Sequence, residues 1–256
     1  MSPIESVSTQ VLEVNGETAV VQTTRPGDFV VCNLASLCLG AIDVDDPDEV
    51  EYIAASAVRA LDNVIDLNFY PLAYAGITNQ NYRGIGLGVS GYHHMLAKHG
   101  IRWESEEHLA FADRVFERIH SRLSGPAPIW RLRRDATGTL REANGRQGHS
   151  FEKRGLVSRK WKELAGQVAE HGMRNAYLLA VAPTSSTSIL SGTTAGLDPV
   201  MKRFYLEEKK NAILPRVAPD LTPRTFWLYK SGYTMDQTWT VRAAACARGI
   251  LTRPRA

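Results

Sequence analysis

The apolar run over residues 177–182 constrains the fold of this chain more than any other sequence feature. Its six residues, Tyr-Leu-Leu-Ala-Val-Ala, carry no charge, and the run ends at Pro183. A short apolar run bounded by proline is typical of a buried strand in a parallel sheet. Because predicted strands and helices alternate along the rest of the chain, the sequence predicts an α/β architecture with parallel strands.

Two further strand regions are predicted near the N-terminus. Residues 11–22 are rich in alternating β-branched side chains on both sides of Asn15-Gly16, a dipeptide that favours a tight hairpin turn. The apolar run over residues 29–34 follows Pro26-Gly27 and predicts a buried strand. The chain therefore begins with a hairpin that leads into the first strand of the core.

Four amphipathic helices are predicted from apolar residues at helical spacing. They run from Val50 to Ile65, from Tyr92 to His99, from Leu109 to Ile119 and from Ser158 to His171. Acidic residues around Pro47 cap the first helix, and Ser105 begins the third. Residues 121–148 have no apolar period and many glycines, prolines and arginines, so we expect a loop or disorder there.

Composition and charge exclude several classes of protein. A 256-residue chain that is 44% hydrophobic can bury one sizeable core, as one domain or a large piece of one. The net charge of +3 comes from arginines that are not interleaved with aromatic residues, which disfavours nucleic-acid binding. No apolar window is long enough to span a membrane. Three scattered cysteines without metal-ligand spacing indicate a reducing, cytoplasmic environment and no metal site.

The segment over residues 182–189, Ala-Pro-Thr-Ser-Ser-Thr-Ser-Ile, is the strongest candidate for a ligand-binding site in the local sequence. It places consecutive hydroxyl residues after a predicted buried strand and before a predicted helix start, where free backbone N–H groups and the helix dipole favour an anion such as phosphate. Hydroxyl residues also favour helix starts without any ligand. Local sequence leaves both interpretations open.

A glycine motif and a histidine pair resemble ligand sites, but their sequence context predicts structural roles. Gly86-x-Gly88-x-x-Gly91 has the letters of a dinucleotide fingerprint, but no strand is predicted before it and no acidic residue follows at a strand end. A tight turn with close packing is therefore expected. The adjacent His93 and His94 point about 100° apart on a helix and are not expected to share a metal. We expect them to be solvated or half-buried.

The local sequence predicts an inert, structural role for Cys38 and predicts no role for Cys32. Cys38 lies in the apolar Leu37-Cys38-Leu39, as expected of a buried thiol that acts as a small hydrophobe. Cys32 lies beside Asn33 on the predicted strand over residues 29–34.

Several motifs together resemble the large, catalytic subunit of class I ribonucleotide reductases. They occur in that family's order across most of residues 10–240 and cover residues 32–37, 61–71, 85–91, 169–175 and 182–199. The first of these is Cys-Asn-Leu-Ala-Ser-Leu, and the last includes Thr-Ala-Gly-Leu-Asp-Pro. Residues 10–120 and 149–241 match well, whereas residues 121–148 and 243–256 diverge and are expected to be disordered.

The resemblance implies a fold and two functional elements. The family fold is a ten-stranded α/β barrel in two halves, of which this chain would supply the C-terminal half as one partial barrel domain, residues 1–256. Cys32 corresponds to one of two cysteines that reduce the ribose and become a disulfide. Pro183, Thr184, Ser185, Ser186 and Thr187 correspond to the loop that binds the substrate diphosphate. We expect both elements to converge on one nucleotide across a curved parallel sheet.

The resemblance also implies partners and effectors. The family reduces ribonucleoside diphosphates to deoxyribonucleoside diphosphates for DNA synthesis and forms a large-subunit homodimer. A small subunit supplies a metal-dependent radical, thioredoxin or glutaredoxin supplies electrons, and ATP and deoxynucleotides bind elsewhere in the large subunit. We expect this chain itself to bind no cofactor.

The departures from the family bear on activity. The family's Asn-x-Cys-x-Glu motif, which carries the radical cysteine, does not occur in these residues, nor does its tyrosine pair for radical transfer. The arginine-rich texture of residues 122–148 is typical of a compensated reading-frame shift. We therefore expect the isolated chain to be inactive. The alternatives are one half of a split reductase and a non-catalytic module that binds nucleotide phosphates.

Overall fold

The computed structural model describes residues 4–123, 159–171, 174–209 and 212–249. The chain opens with an antiparallel hairpin of β1 (Ile4–Val14) and β2 (Glu17–Pro26), in which Val14 lies opposite Glu17. Asn15 and Gly16 join the strands with φ angles of 55° and 82°. Positive φ at both positions is the requirement of a type I′ turn, so the predicted hairpin is confirmed.

The central feature is a small parallel sheet. Strand β3 (Leu34–Cys38) pairs with β4 (Gly86–Ser90), with Leu34 opposite Gly86 and Cys38 opposite Ser90. Residues 177–180 lie along the other side of β4, because the N–H groups of Ile85 and Leu87 donate to the carbonyls of Tyr177 and Leu178 at 3.0 and 2.8 Å. The predicted parallel α/β arrangement is therefore present. A closed barrel is not visible within the described ranges.

Helices cover one side of this sheet and supply its crossovers. Helices α1 (Pro47–Leu67) and α2 (Ala73–Tyr82) connect β3 to β4; α3 (Tyr92–Lys98), α4 (Glu106–Leu123) and α5 (Arg159–His171) follow β4. The short α6 (Thr187–Leu190), the hairpin β5 (Phe204–Lys209) and β6 (Ala212–Val217), and α7 (Gln237–Gly249) complete the described chain. None of the described helices is long and apolar enough to cross a membrane.

The predicted caps explain where two of the helices begin. Asp46 caps α1, since its carboxylate accepts hydrogen bonds from the N–H groups of Asp48 and Glu49. Ser105 Oγ accepts from the N–H of His108 at 3.1 Å at the start of α4. The predicted apolar residues of these helices join side chains of β3 and β4 in one core; examples are Leu37, Leu87, Val89, Val58, Ile65, Leu109 and Val115.

The strand predicted over residues 29–34 is displaced in the structure. Strand β3 begins only at Leu34, and residues 27–32 have no strand partner, with Val30 58% exposed. Apolar composition alone does not show where a pairing partner begins. Here β4 is five residues long and pairs with residues 34–38, while the preceding backbone bonds to side chains of α2.

The glycine-rich segment over residues 84–91 is mainly a strand rather than a turn. Gly86 and Gly88 belong to β4, and a Cβ atom on Gly88 would lie 2.9 Å from the carbonyl oxygen of Ala180. The glycines thus permit close approach of a neighbouring backbone, as the packing interpretation predicts. Only Gly91, with φ of 76°, makes the turn into α3, and Gly100, with φ of 72°, follows that helix.

The apolar run over residues 177–182 is also less buried than predicted. It bonds to β4 on one side, but Tyr177 is 71% and Val181 59% exposed. A strand is buried on both faces only when other elements cover both, and within the described ranges only the helix side of this segment is covered.

Most of the segment predicted to be a loop or disordered, residues 121–148, lies outside the described residues. Residues 121–123 are the last residues of α4. In the divergent tail, residues 243–249 belong to α7, and Ala243 is part of the core.

Candidate functional site

The parallel sheet has one face toward the helices and one face away from them. Leu37 of β3 and Leu87 and Val89 of β4 point into the helical core. Since successive side chains of a strand alternate, the opposite face carries Leu34 and the small residues Ser36, Cys38, Gly86, Gly88 and Ser90. We call this the glycine face. Gly86 and Gly88 are buried on this face, because Leu34 and the extended segment at Ala180 and Ala182 pack against them.

Cys32 lies two residues before β3 and faces the same side. Asn33 continues the pairing by one residue, because its carbonyl accepts from the N–H of Gly86 at 2.9 Å. The Asn33 amide points toward α1 and donates to the Leu61 carbonyl at 2.8 Å. Its neighbour Cys32 therefore points to the opposite, glycine side. Cys32 is an exposed free thiol, whereas Cys38 on the same face is half-buried.

Residues 183–187, which we call the hydroxyl loop, follow the extended segment at the far end of the sheet. Pro183, Ser185, Ser186 and Thr187 are exposed. Thr184 has a φ of 48°, in the left-handed region that a threonine rarely adopts, and its Oγ1 accepts from the N–H of Gly196 at 2.7 Å. The loop thus presents hydroxyl groups to solvent while one residue anchors it.

Cys32 and the hydroxyl loop lie toward opposite ends of the strands. Because the strands are parallel, Cys32 precedes the start of β3 and the loop follows the end of the third extended segment. The predicted parallel sheet between the two elements is present, and their convergence on one nucleotide remains a prediction.

A buried cluster of charged residues fixes the end of the sheet nearest Cys32. Arg83, just before β4, donates from Nε to Asp62 Oδ1 at 2.8 Å and from Nη1 to Asp66 Oδ1 at 2.8 Å. Arg174 and Asn175, just before the third segment, donate to Asp62 at 2.9 and 3.0 Å. We call these five residues the ion cluster. It ties α1 to the start of two strands.

The ion cluster keeps its central carboxylate ionised. Burial alone raises the pKa of Asp62, but hydrogen bonds from Arg83, Arg174 and Asn175 and the charge of Arg83 outweigh this effect, so the pKa lies below the usual value. Asp62 is 3% and Arg83 4% exposed. Charges buried to this extent are stable only when paired and hydrogen-bonded.

Sequence reasoning gave the ion cluster no role, although one local signal points to it. Asp62 continues the spacing of Ala54 and Val58, two buried residues of α1 at intervals of four. A carboxylate on the buried stripe of a helix requires a buried cationic partner. The partners themselves, up to 113 residues away, have no signature in the local sequence.

The histidines are more buried than predicted, and His93 serves as a neutral hydrogen-bonding group. His93 Nδ1 accepts from the N–H of Val200, and its Nε2 lies 3.1 Å from the Leu228 carbonyl. Burial is the main cause that lowers the pKa of His93, to about 4. His94 contacts Asp220 and Thr193, at 2.8 and 3.0 Å. Solvation was the wrong expectation because α3 is enclosed on all sides. Among the described residues no group of potential ligands could hold a metal ion.

Comparison with protein families decides the identity of this fold. The model of the ribonucleotide reductase barrel domain matches residues 15–249. The chain belongs to the ribonucleotide reductase family. The matched residues include β3, β4, the hydroxyl loop and the ion cluster. The match confirms the resemblance inferred from the motifs.

Curated relatives agree with this assignment. The chain is 57% identical over 244 residues to the ribonucleoside-diphosphate reductase subunit alpha of Treponema pallidum, covering 95% of this chain and 29% of that protein. The proteins of the same name from Helicobacter pylori and Synechocystis are 35% and 33% identical, over 93% and 86% of this chain. The chain thus spans 29–32% of the length of these reductase relatives.

Proposed function

We propose that this chain forms part of the catalytic barrel of a ribonucleoside-diphosphate reductase and takes part in making deoxyribonucleotides for DNA synthesis. The observation that carries the proposal is the exposed Cys32 thiol, two residues before β3 of the parallel sheet and next to Asn33, which is bonded to α1. An exposed thiol is accessible to a nucleotide and to a reductant.

Cys32 is proposed to act as one half of a reducing dithiol. A ribonucleoside diphosphate and two thiols give a deoxyribonucleoside diphosphate, a disulfide and water. Two electrons and two protons leave the thiols, and the 2′-hydroxyl departs as water. From the family resemblance, the second thiol is proposed to lie on a strand of the N-terminal half of the barrel, outside these residues. Thiol–disulfide exchange with an external dithiol then restores Cys32.

Residues 183–187 are proposed to hold the diphosphate. Three consecutive exposed residues, Ser185, Ser186 and Thr187, offer hydroxyl donors at the end of an extended segment. The bond from Gly196 to Thr184 fixes the loop in its left-handed conformation. Oriented hydroxyl and backbone donors of this kind favour an anion.

The partners are proposed from the same family. They are a small subunit that supplies the radical, thioredoxin or glutaredoxin as electron donor, and a second large subunit, in the cytoplasm. The 256 residues contain no Asn-x-Cys-x-Glu motif. We therefore propose that turnover requires a segment that carries this motif, together with the effector sites for ATP and deoxynucleotides.

A complementation assay tests the proposed function. This chain is mixed with the recombinant N-terminal part of the Treponema pallidum relative, with a segment of that relative that carries the tyrosine pair, and with that organism's small subunit, and deoxycytidine diphosphate formation from cytidine diphosphate is measured. We expect formation only when all components are present, and no formation with Cys32→Ser. Cys246→Ser is the matched control and should retain activity. Equal activity of Cys32→Ser and the unmodified chain would contradict the proposed role.

A further inference from the structure

The backbone that carries Cys32 is held by side chains of α2 rather than by a strand. Within residues 27–33, the N–H of Phe29 donates to Thr78 Oγ1 at 3.0 Å. The N–H of Val31 donates to Asn79 Oδ1, and Asn79 Nδ2 donates to the Phe29 carbonyl, both at 3.3 Å. A neighbouring strand would bond to the same groups, which lie two residues apart along one edge of an extended chain.

The two α2 side chains are themselves fixed. Thr78 and Asn79 are 2% and 4% exposed, unusual for polar residues on a helix. Thr78 Oγ1 donates to the Tyr74 carbonyl at 2.9 Å, and Asn79 Nδ2 donates to the Ala75 carbonyl at 2.7 Å. These bonds orient each side chain toward the backbone before Cys32.

Cys32 therefore lies between two anchored residues. On one side the N–H of Val31 is bonded to Asn79, and on the other the Asn33 amide is bonded to the Leu61 carbonyl of α1. The thiol is left exposed. This arrangement orders the backbone on both sides of the cysteine without covering its sulfur atom.

We propose that Thr78 and Asn79 are positioning residues for Cys32, which hold residues 29–31 extended and thereby direct the Cys32 thiol to the glycine face. The proposal rests on the proposed redox role of Cys32. Neither residue needs to touch the substrate. Their effect is to restrict where the thiol can point when the nucleotide and the second thiol arrive.

Spin labelling tests the positioning directly and does not depend on redox chemistry. In the full chain carrying Cys38→Ser and Cys246→Ser, a nitroxide label is attached to Cys32 and its mobility is measured by electron paramagnetic resonance. We expect an ordered label in this background and a severalfold shorter correlation time in Thr78→Val and Asn79→Leu. Thr78→Ser keeps the hydroxyl and should restore the ordered spectrum.

Two controls separate positioning from a general loss of structure. Gln80→Ala changes the exposed neighbour on α2 and should leave the label unchanged. Each variant is also melted, so that label mobility can be compared with stability. A Thr78→Val chain that melts at a lower temperature while its label stays ordered would overturn the proposal, as would a label that is already freely mobile in the background.

The complementation assay then separates this proposal from the function on which it rests. If both hold, Thr78→Val lowers kcat on the order of tenfold, as expected for a displaced reacting group, while KM for cytidine diphosphate stays unchanged. A mobile label with undiminished kcat would show that Cys32 is positioned but has no role in turnover.

Discussion

The two ends of the parallel sheet differ in how their polar groups are satisfied. At the end near Cys32, the ion cluster is buried except for the partly exposed Asp66, and every one of its members is bonded across elements. At the other end, the hydroxyl loop is exposed and is anchored mainly through Thr184. The first arrangement fixes strand positions, whereas the second leaves donors available to a ligand. Stability and binding are thus assigned to opposite ends of the same strands.

The ends also differ in charge state. The central carboxylate of the ion cluster, Asp62, is ionised, and the imidazole of His93, on the helix that follows β4, is neutral. Asp62 and His93 should therefore make the free energy of unfolding depend on pH in different pH ranges. Substitutions at four residues test this comparison.

Removal of the central carboxylate should have the largest effect on stability. Asp62→Ala leaves Arg83 and Arg174 with fewer partners in a buried setting, so we expect a loss of about 3–5 kcal/mol in the free energy of unfolding. Urea denaturation measures this loss. The exposed Asn63→Ala on the same helical turn should change the free energy of unfolding by less than about 0.5 kcal/mol. Similar values for both variants would contradict the importance of the cluster.

The pH dependence of this loss follows from the lowered pKa of Asp62. The carboxylate contributes stability above its unfolded-state pKa of 3.8, and the contribution disappears as the pH falls through the lower folded-state value. Unfolding of the unmodified chain should therefore become steeply pH-dependent below about pH 4, and Asp62→Asn should lose part of that dependence.

A methyl group on the glycine face should have the next largest effect. The new Cβ of Gly88→Ala would lie 2.9 Å from the Ala180 carbonyl and 3.3 Å from Ser36 Oγ, so the third segment must move away from β4. We expect a loss of about 1–3 kcal/mol by thermal denaturation. Gly166→Ala, whose Cβ would meet nothing within 4 Å, serves as control and should be neutral or slightly stabilising.

The neutral imidazole should make stability depend on pH in a higher range. Burial lowers the pKa of His93 from 6.5 to about 4, so between these values only the unfolded chain binds the proton. Stability is full above pH 6.5 and falls as the pH is lowered, by about 2 kcal/mol at pH 5. His93→Gln, which stays neutral, should flatten this dependence. If the free energy of unfolding of His93→Gln depended on pH as steeply as that of the unmodified chain, other titrating groups would be responsible.

The hydroxyl loop should show the smallest effect on stability. Ser186→Ala removes an exposed hydroxyl and should alter the free energy of unfolding by less than about 0.5 kcal/mol. If the loop binds diphosphate, the same change should weaken binding of cytidine diphosphate by about 1 kcal/mol in a calorimetric titration of the complemented protein. Ser191→Ala, an exposed serine beyond α6, is the control and should not alter affinity.

The amino-acid sequence predicts those parts of the fold that local chemistry determines. The turn at Asn15-Gly16 and the cap at Asp46 are confirmed, because each depends on a few adjacent residues. The start of β3 was predicted five residues too early, since its position depends on β4, about 50 residues away. Strand β4 itself was missed because its glycines, needed for close backbone approach, are also typical of turns.

In the candidate site, too, features that depend on adjacent residues were predicted and those that depend on distant residues were not. Motif resemblance predicts Cys32 and residues 183–187 as site residues; the family assignment confirms the resemblance, and the roles of these residues stay predictions. Helix α2 and its buried Thr78 and Asn79 were not predicted, because polar residues at those positions have no apolar period. Their importance depends on backbone groups 48 and 49 residues earlier in the chain, which only the structure brings near.

The state of Cys32 after one round of reduction tests the account most directly. The complemented, fully reduced protein is allowed to react with cytidine diphosphate in the absence of any external reductant, and peptides are mapped by mass spectrometry. We predict one deoxynucleotide per barrel, with Cys32 in a disulfide to the complementing segment and Cys38 and Cys246 still free. Product formation that leaves Cys32 as a free thiol would contradict the account.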